Sequence, residues 1–395
     1  MRSPTASMLF LLVRPHANSV MGSVQGAWQD RVVRNGLLLG FGPGAALGAG
    51  RFAYALVLPA MQADLGLSFS QAGVLGSANT AGYFLGALIS HRVLAAVGYR
   101  RGFYGALILG SLTVALLAFG PGFVPFVALR LAQGVMGAFV FVGGAALLLA
   151  SGSRATGLGV YFGGVGVGMV ASTVILPLMS SWQSGWLLLG LLSFALTALS
   201  FLALPSLTEP PPHVVSAEGS LRGITLAMVV YGLYGAGYIG YMTFVGSGLT
   251  VPLGSVWIIL GIGASLNGYL WGPVVERLGA VRAMRVVMAS LTVASLFPLL
   301  VHLPYLSAFL FGISFLGVIT AITSLFRERL PAPSWSRAMG LSTAVFALGQ
   351  AVGPSISGVA GDVFGGVAGA LWAATALLGA GLIVALCAPR SRRGS

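Results

Sequence analysis

Apolar residues in this chain run on well past the length at which a helix of a water-soluble domain would turn a polar face to solvent. Between Arg154 and Glu209 the only titratable side chain is Tyr161, a phenol that stays neutral near pH 7. As one helix this stretch would be about 80 Å long at 1.5 Å per residue, whereas about 20 residues cross a hydrocarbon core. It therefore crosses twice, turning at Ser180-Ser181-Trp182-Gln183-Ser184-Gly185. Arg222 to Glu276 folds back near Gly246 to Gly254, and Arg285 to Arg327 at His302-Leu303-Pro304-Tyr305. Single crossings fall near 36–61, 69–91, 102–120, 124–150, 337–360 and 366–388, which brings the total to twelve. The ten-residue alternation of a transmembrane barrel does not occur. An all-α membrane protein with twelve transmembrane helices is predicted.

Composition agrees. The 395 residues are 57% hydrophobic and 7% charged, with a mean hydropathy of +0.96, against about 25% charged residues in soluble domains. A formal net charge of +13 would ordinarily raise nucleic-acid binding. Here all the basic residues are arginines, and they are scattered between apolar runs rather than gathered on one face. Numbering the crossings puts Arg92, Arg100, Arg101, Arg154, Arg222, Arg277, Arg282, Arg285, Arg327, Arg329 and Arg337 in loops on one side, with only Asp64 and Asp362 on the other. The positive-inside rule then places both termini in the cytoplasm, with the chain in the inner membrane. A single cysteine, Cys387, and four histidines without ligand spacing point to no metal or other cofactor. No nucleophile, metal cluster or carboxylate pair sits at membrane depth, so an enzyme or receptor reading is disfavoured. Residues 1–35 read as a cytoplasmic tail or as an over-extended frame with the true start at Met21.

The chain also repeats itself. Gly48-Ala49-Gly50-Arg51-Phe52-Ala53-Tyr54 matches Gly235-Ala236-Gly237-Tyr238-Ile239-Gly240-Tyr241, and Arg154-Ala155-Thr156-Gly157-Leu158 matches Arg337-Ala338-Met339-Gly340-Leu341. Two six-helix halves are expected, 36–204 and 222–388, joined by a Pro-rich cytoplasmic linker, 205–221, with a cytoplasmic tail at 389–395. Parallel halves of this kind build one large transporter class, with the substrate site between them near the midplane.

Gly272-Pro273-Val274-Val275-Glu276-Arg277-Leu278-Gly279 followed by Arg282 resembles the loop signature of the major facilitator superfamily. The resemblance implies a cytoplasmic latch made of Gly272, Glu276, Arg277 and Arg282, with Gly86, Arg92, Arg100 and Arg101 as the first-half copy. That copy departs from the pattern, because Ser90 stands where the acid belongs. Arg130-Leu131-Ala132-Gln133-Gly134 is similar to the family's Arg motif, and Gly349-Gln350-Ala351-Val352-Gly353-Pro354 to its Gly-Pro bending motif. The run from Gly50-Arg51-Phe52-Ala53-Tyr54 through Pro59 to Leu67 resembles the YbfB/YjiJ-type subfamily.

Charge inside the bilayer carries the functional signal. Arg51 and Arg130 lie within crossings, where insertion scales put a central Arg at about 2.5–3.5 kcal/mol, and no acidic residue shares those depths. Water, backbone carbonyls or an anionic substrate must answer them, and guanidinium suits carboxylate or phosphate. For Arg130 a structural role common to the family is the competing reading. Tyr231, Tyr234, Tyr238 and Tyr241 are spaced three, four, three, on one helical face; they line a cavity or form an aromatic belt. The expected binding residues are Arg51, Tyr54, Arg130, Gln133, Tyr234, Tyr238 and Tyr241. The expected function is secondary transport of a small, anionic organic solute by alternating access, one chain acting as a monomer in the lipid bilayer. A multidrug or metabolite efflux carrier is the rival. With no Asp, Glu or His at mid-membrane, facilitated diffusion, anion exchange and symport all stay open.

Overall fold

The computed structural model describes residues 33–67, 69–120, 122–210, 224–245, 252–364 and 366–388. The tail before residue 33, the linker from residue 211 and the tail from residue 389 lie outside them. Twelve helices follow one another: α1 Val33–Leu65, α2 Phe69–Val97, α3 Tyr99–Phe119, α4 Phe123–Ala150, α5 Ala155–Leu178 and α6 Trp182–Ser206. The second bundle holds α7 Thr225–Phe244, α8 Gly254–Leu278, α9 Ala280–Leu300, α10 Pro304–Arg329, α11 Trp335–Phe364 and α12 Val367–Cys387. Eleven helices among the described residues are long and apolar enough to cross a membrane, and α7 is not one of them. Its sequence carries four tyrosines and four glycines, which dilute its apolar content. The helix is a core element all the same, because Tyr231, Tyr234, Tyr238 and Tyr241 are all buried.

Glycine decides which helices touch. In a bilayer, backbone approach at small residues replaces the hydrophobic drive of water. Gly44 and Gly48 of α1 meet Gly164 and Gly168 of α5 so closely that an added Cβ would lie 2.8 and 2.6 Å from their atoms. Gly349 and Gly353 of α11 stand in the same relation to α7, 2.2 Å from the carbonyls of Gly232 and Ala236. These are equivalent pairs in the two bundles. Between bundles, α5 lies along α8 in the same way: a Cβ at Gly159 would come 2.7 Å from Gly268 Cα, and one at Gly166 2.4 Å from the Gly261 carbonyl oxygen. The other seam, α2 against α11, comes together where Gly340 faces the Ala87 carbonyl and Ser90 Oγ, at 2.9 and 3.0 Å.

One stretch of α1 is not an α-helix. Gly44–Phe52 winds as a π-helix, and the Ala53 N–H donates to the Gly48 carbonyl five residues back at 3.2 Å. Pro43 precedes it, offering no N–H and crowding the carbonyl four residues earlier. Gly44, Gly48 and Gly50 carry no side chains to obstruct the wider turn. Such bulges recur at functional sites, and this one holds Arg51.

Charged residues at the arginine-rich end serve helix termini. α3 and α9 start after Gly98 and Gly279, whose φ of 89° and 79° glycine alone adopts readily. Glu209 accepts from the Tyr99 and Arg100 N–H groups at 3.0 Å each, and Glu328 from the Ala280 N–H at 2.9 Å. Arg100 donates to the Leu207 carbonyl at the end of α6, and Arg285 to the Ala385 and Leu386 carbonyls at the end of α12. Acids at N-termini and guanidinium at C-termini both follow the helix dipole.

Candidate functional site

A narrow cleft with a free volume of only about 20 Å³, closed almost to the size of a single water, lies between the bundles. The first bundle lines it with Leu47, Arg51, Phe52, Tyr83, Phe141 and Val165. Facing them are Tyr234 and Tyr238 of α7, Phe315, Leu316 and Ile319 of α10, and Phe346 and Gln350 of α11. No carboxylate is among these residues, and Arg51 is their one full charge.

The π-turn brings Arg51 to the cleft wall. Its Nη2 donates to Thr80 Oγ1 at 3.2 Å and to Gln350 Oε1 at 2.7 Å. Its guanidinium carbon lies 5.2 Å from the centre of the Tyr83 ring and 5.8 Å from that of Phe52. The Gln350 amide in turn donates to the Tyr238 hydroxyl. Thr80, Arg51, Gln350 and Tyr238 thus form one polar chain across the cleft, from α2 and α1 to α11 and α7. Arg51 Nε and Nη1 donate to no described residue. Phe52 reaches across as well, its ring 6.3 Å from that of Trp257 on α8.

Arg130 sits elsewhere. It is 2% exposed and is not among the lining residues. Its Nη1 donates to the Gly50 carbonyl at 3.0 Å and to Gln133 Oε1 at 2.6 Å, and its Nε to the Leu75 carbonyl at 3.4 Å. Tyr54 and Trp186 cover it, with ring centres 4.6 and 5.7 Å from the guanidinium carbon. Tyr54, Arg130 and Gln133 therefore form a group behind the wall. Tyr241 is also withdrawn, its ring stacked on Phe311 at 3.9 Å and its hydroxyl bonded to Ser307. Of the seven expected binding residues, Arg51, Tyr234 and Tyr238 meet at the cleft.

Neighbouring rings on the α7 side lie nearly parallel. Tyr234 and Tyr238 stack at 5.1 Å, and both stack on Phe346, at 5.4 and 5.5 Å with interplanar angles of 10° and 11°. The Tyr234 hydroxyl donates to the Phe315 carbonyl. Phe346, Phe315 and Tyr83 were not singled out from sequence; the only signal for them is an aromatic ring at mid-crossing, which many packed rings share.

Glu276 reaches across at the arginine-rich end, accepting from the Thr156 N–H and hydroxyl of α5 at 3.0 and 2.9 Å. Arg327 does the same for the other side of that turn, donating to the Ser153 carbonyl at 2.8 Å. One bundle thus grips the α4–α5 turn of the other by both helix ends. Gly272 joins in, a Cβ there falling 2.3 Å from Thr156 Cα, whereas Gly86 packs within its own bundle against Val135 of α4. α8 carries a break at Leu266 that α2 lacks, and the two glycines present to different neighbours. Arg92, Arg101 and Arg282 are exposed and donate to no described residue, while Arg100 holds the end of α6.

A family profile described as "Uncharacterised MFS-type transporter YbfB" matches residues 44–388. The chain belongs to this family of major facilitator transporters. In structure the transporter is similar to the human organic anion transporter MFSD10 (TETRAN), at TM-score 0.66 and 16% identity over 90% of this chain and 98% of that one. It is also similar to a variant of the E. coli fucose:proton symporter FucP, at TM-score 0.63 and 16% identity over 91% and 100%. FucP in an outward conformation gives TM-score 0.64 with the same identity and coverage. No curated protein matches it by sequence. This major facilitator transporter is a multi-pass membrane protein of the secondary-transport class, with twelve helices in two bundles and its cleft between them.

Proposed function

We propose that the protein carries a small organic anion across the inner membrane by alternating access, with Arg51 as the group that receives the negative charge. The observation that carries this reading is the state of Arg51: it lines the cleft while its Nε and Nη1 hydrogens find no acceptor among the described residues. A carboxylate or phosphate oxygen would supply one. Gln350 Oε1, already at 2.7 Å, holds the place of a weaker, neutral acceptor that an anion displaces. Displacement also frees the one side-chain bond that Arg51 makes to the second bundle among the described residues, so binding and bundle movement share one contact. Tyr234 and Tyr238 form the opposite wall. The positive-inside rule supports an arginine-rich end and both termini inside the cell, with Glu276 and Arg327 acting there as a latch between the bundles. The human relative named as an organic anion transporter lends the same direction.

The test is a thermal-shift screen of purified protein against organic anions, sugars, amino acids and lipophilic cations. Stabilisation by an anion, rising with concentration as linkage requires and lost in Arg51→Gln, supports the reading. A clear cationic hit with no anion response sinks it in favour of a drug exporter.

A further inference from the structure

We infer that the transported anion carries a single negative charge on a flat aromatic body rather than a polyhydroxylated one; this rests on the anion reading and narrows it. The lining is what selects. Seven of its thirteen residues are aromatic and four more are aliphatic, so nearly every surface a ligand meets is hydrocarbon. The few polar atoms are largely committed to one another. The Tyr234 hydroxyl donates to the Phe315 carbonyl, while the Tyr238 hydroxyl accepts from the Gln350 amide, whose Oε1 accepts from Arg51. What stays open for a ligand is the unspent side of Arg51, with the Tyr83 hydroxyl and the hydrogen of the Tyr238 hydroxyl beside it, neither of which reaches an acceptor among the described residues.

Each candidate class can be weighed against that inventory. A sugar or polyol would bury more hydroxyls than Tyr83 and Tyr238 can partner, each one left over weakening binding by about tenfold. A dicarboxylate would satisfy one charge at Arg51 and leave the second facing rings and aliphatics, which is costlier still. A zwitterion would find no carboxylate in the lining for its ammonium group. A flat monoanion meets none of these penalties. Tyr238 lies within 20° of parallel to Tyr234, Phe346 and Phe315, so a planar guest extends a stack that already exists. Offset stacking of this kind adds to simple area burial.

The experiment measures binding to the purified full-length protein by thermal shift and titration, using phenylacetate, cyclohexylacetate, phenylacetamide, succinate and gluconate. Phenylacetate is expected to bind at least tenfold more tightly than succinate, gluconate or the neutral amide, and about threefold more tightly than cyclohexylacetate. Phe346→Leu and Phe52→Leu should each weaken phenylacetate about three- to tenfold; having two variants guards against a fold defect in one. Succinate or gluconate binding as well as phenylacetate overturns this inference and leaves the anion reading standing. Equal binding of cyclohexylacetate overturns the aromatic requirement. Phenylacetamide matching phenylacetate, or no response to any anion, overturns the anion reading itself.

Discussion

Arg51 and Arg130 are embedded in the same bundle, and their surroundings differ in kind. Arg130 is closed in by two backbone carbonyls, an amide oxygen and two ring faces. Arg51 has a hydroxyl and an amide on one nitrogen only and a cleft in front of the rest. A membrane protein can therefore answer a buried guanidinium without any acid, provided helices bring carbonyls to it. The two are also connected. Arg130 holds the carbonyl of Gly50, the residue just before Arg51, so one arginine braces the turn that presents the other. Arg130 serves the fold, and Arg51 is the group we propose for binding.

Substitutions can break that division. Arg130→Gln strips the donor from three acceptors and is expected to cost about 2–4 kcal/mol of stability, read as a lower unfolding temperature in detergent. Arg130→Lys should recover only part, since an ammonium lacks the planar fork. Arg51→Gln should do the reverse, costing the fold less than about 1 kcal/mol while weakening anion binding about 10- to 100-fold. If both variants melt alike, the distinction fails. Gln350→Glu sharpens it by fixing a carboxylate beside Arg51: anion binding should fall by a similar factor in titration while the unfolding temperature holds or rises. Tyr54→Leu removes a ring from over Arg130 and should cost about 1 kcal/mol with no change in anion affinity. Arg92→Gln, at an exposed arginine without a described partner, should stay within about 0.5 kcal/mol by either measure.

The sequence made some of this legible and hid the rest for identifiable reasons. Uncharged runs longer than one bilayer revealed the crossings, and charge segregation fixed their number, even for α7, where tyrosine and glycine mask the apolar signal. Arg51 stood out because charge at that depth is rare. What answered Arg130 could not be read, because Gly50 and Leu75 contribute main-chain oxygens from two other helices and carbonyls leave no trace in side-chain identity. The tyrosine spacing gave a common face but not its cover: Phe346 lies over Tyr234 and Tyr238, while Phe311 and Ser307 claim Tyr241. The π-winding of Gly44–Phe52 follows from Pro43 and its glycines only after the fact, since proline and glycine also bend helices in other ways. The latch shows the same pattern. Glu276 was visible from its motif, whereas its partners Thr156 and the Ser153–Arg327 contact are long-range and carry no motif.

Val165 of the cleft wall sits on α5 between Gly163 and Gly166, the positions at which that helix lies backbone to backbone on α8; a Cβ at Gly163 would come 3.0 Å from the Ser265 carbonyl oxygen, and one at Gly166 closer still. The width of the cleft is thus set by residues that do not line it. One methyl group added along that line would wedge the halves apart and loosen the grip on every guest at once, so a search for selectivity determinants confined to the walls would pass over the spacers that set their separation.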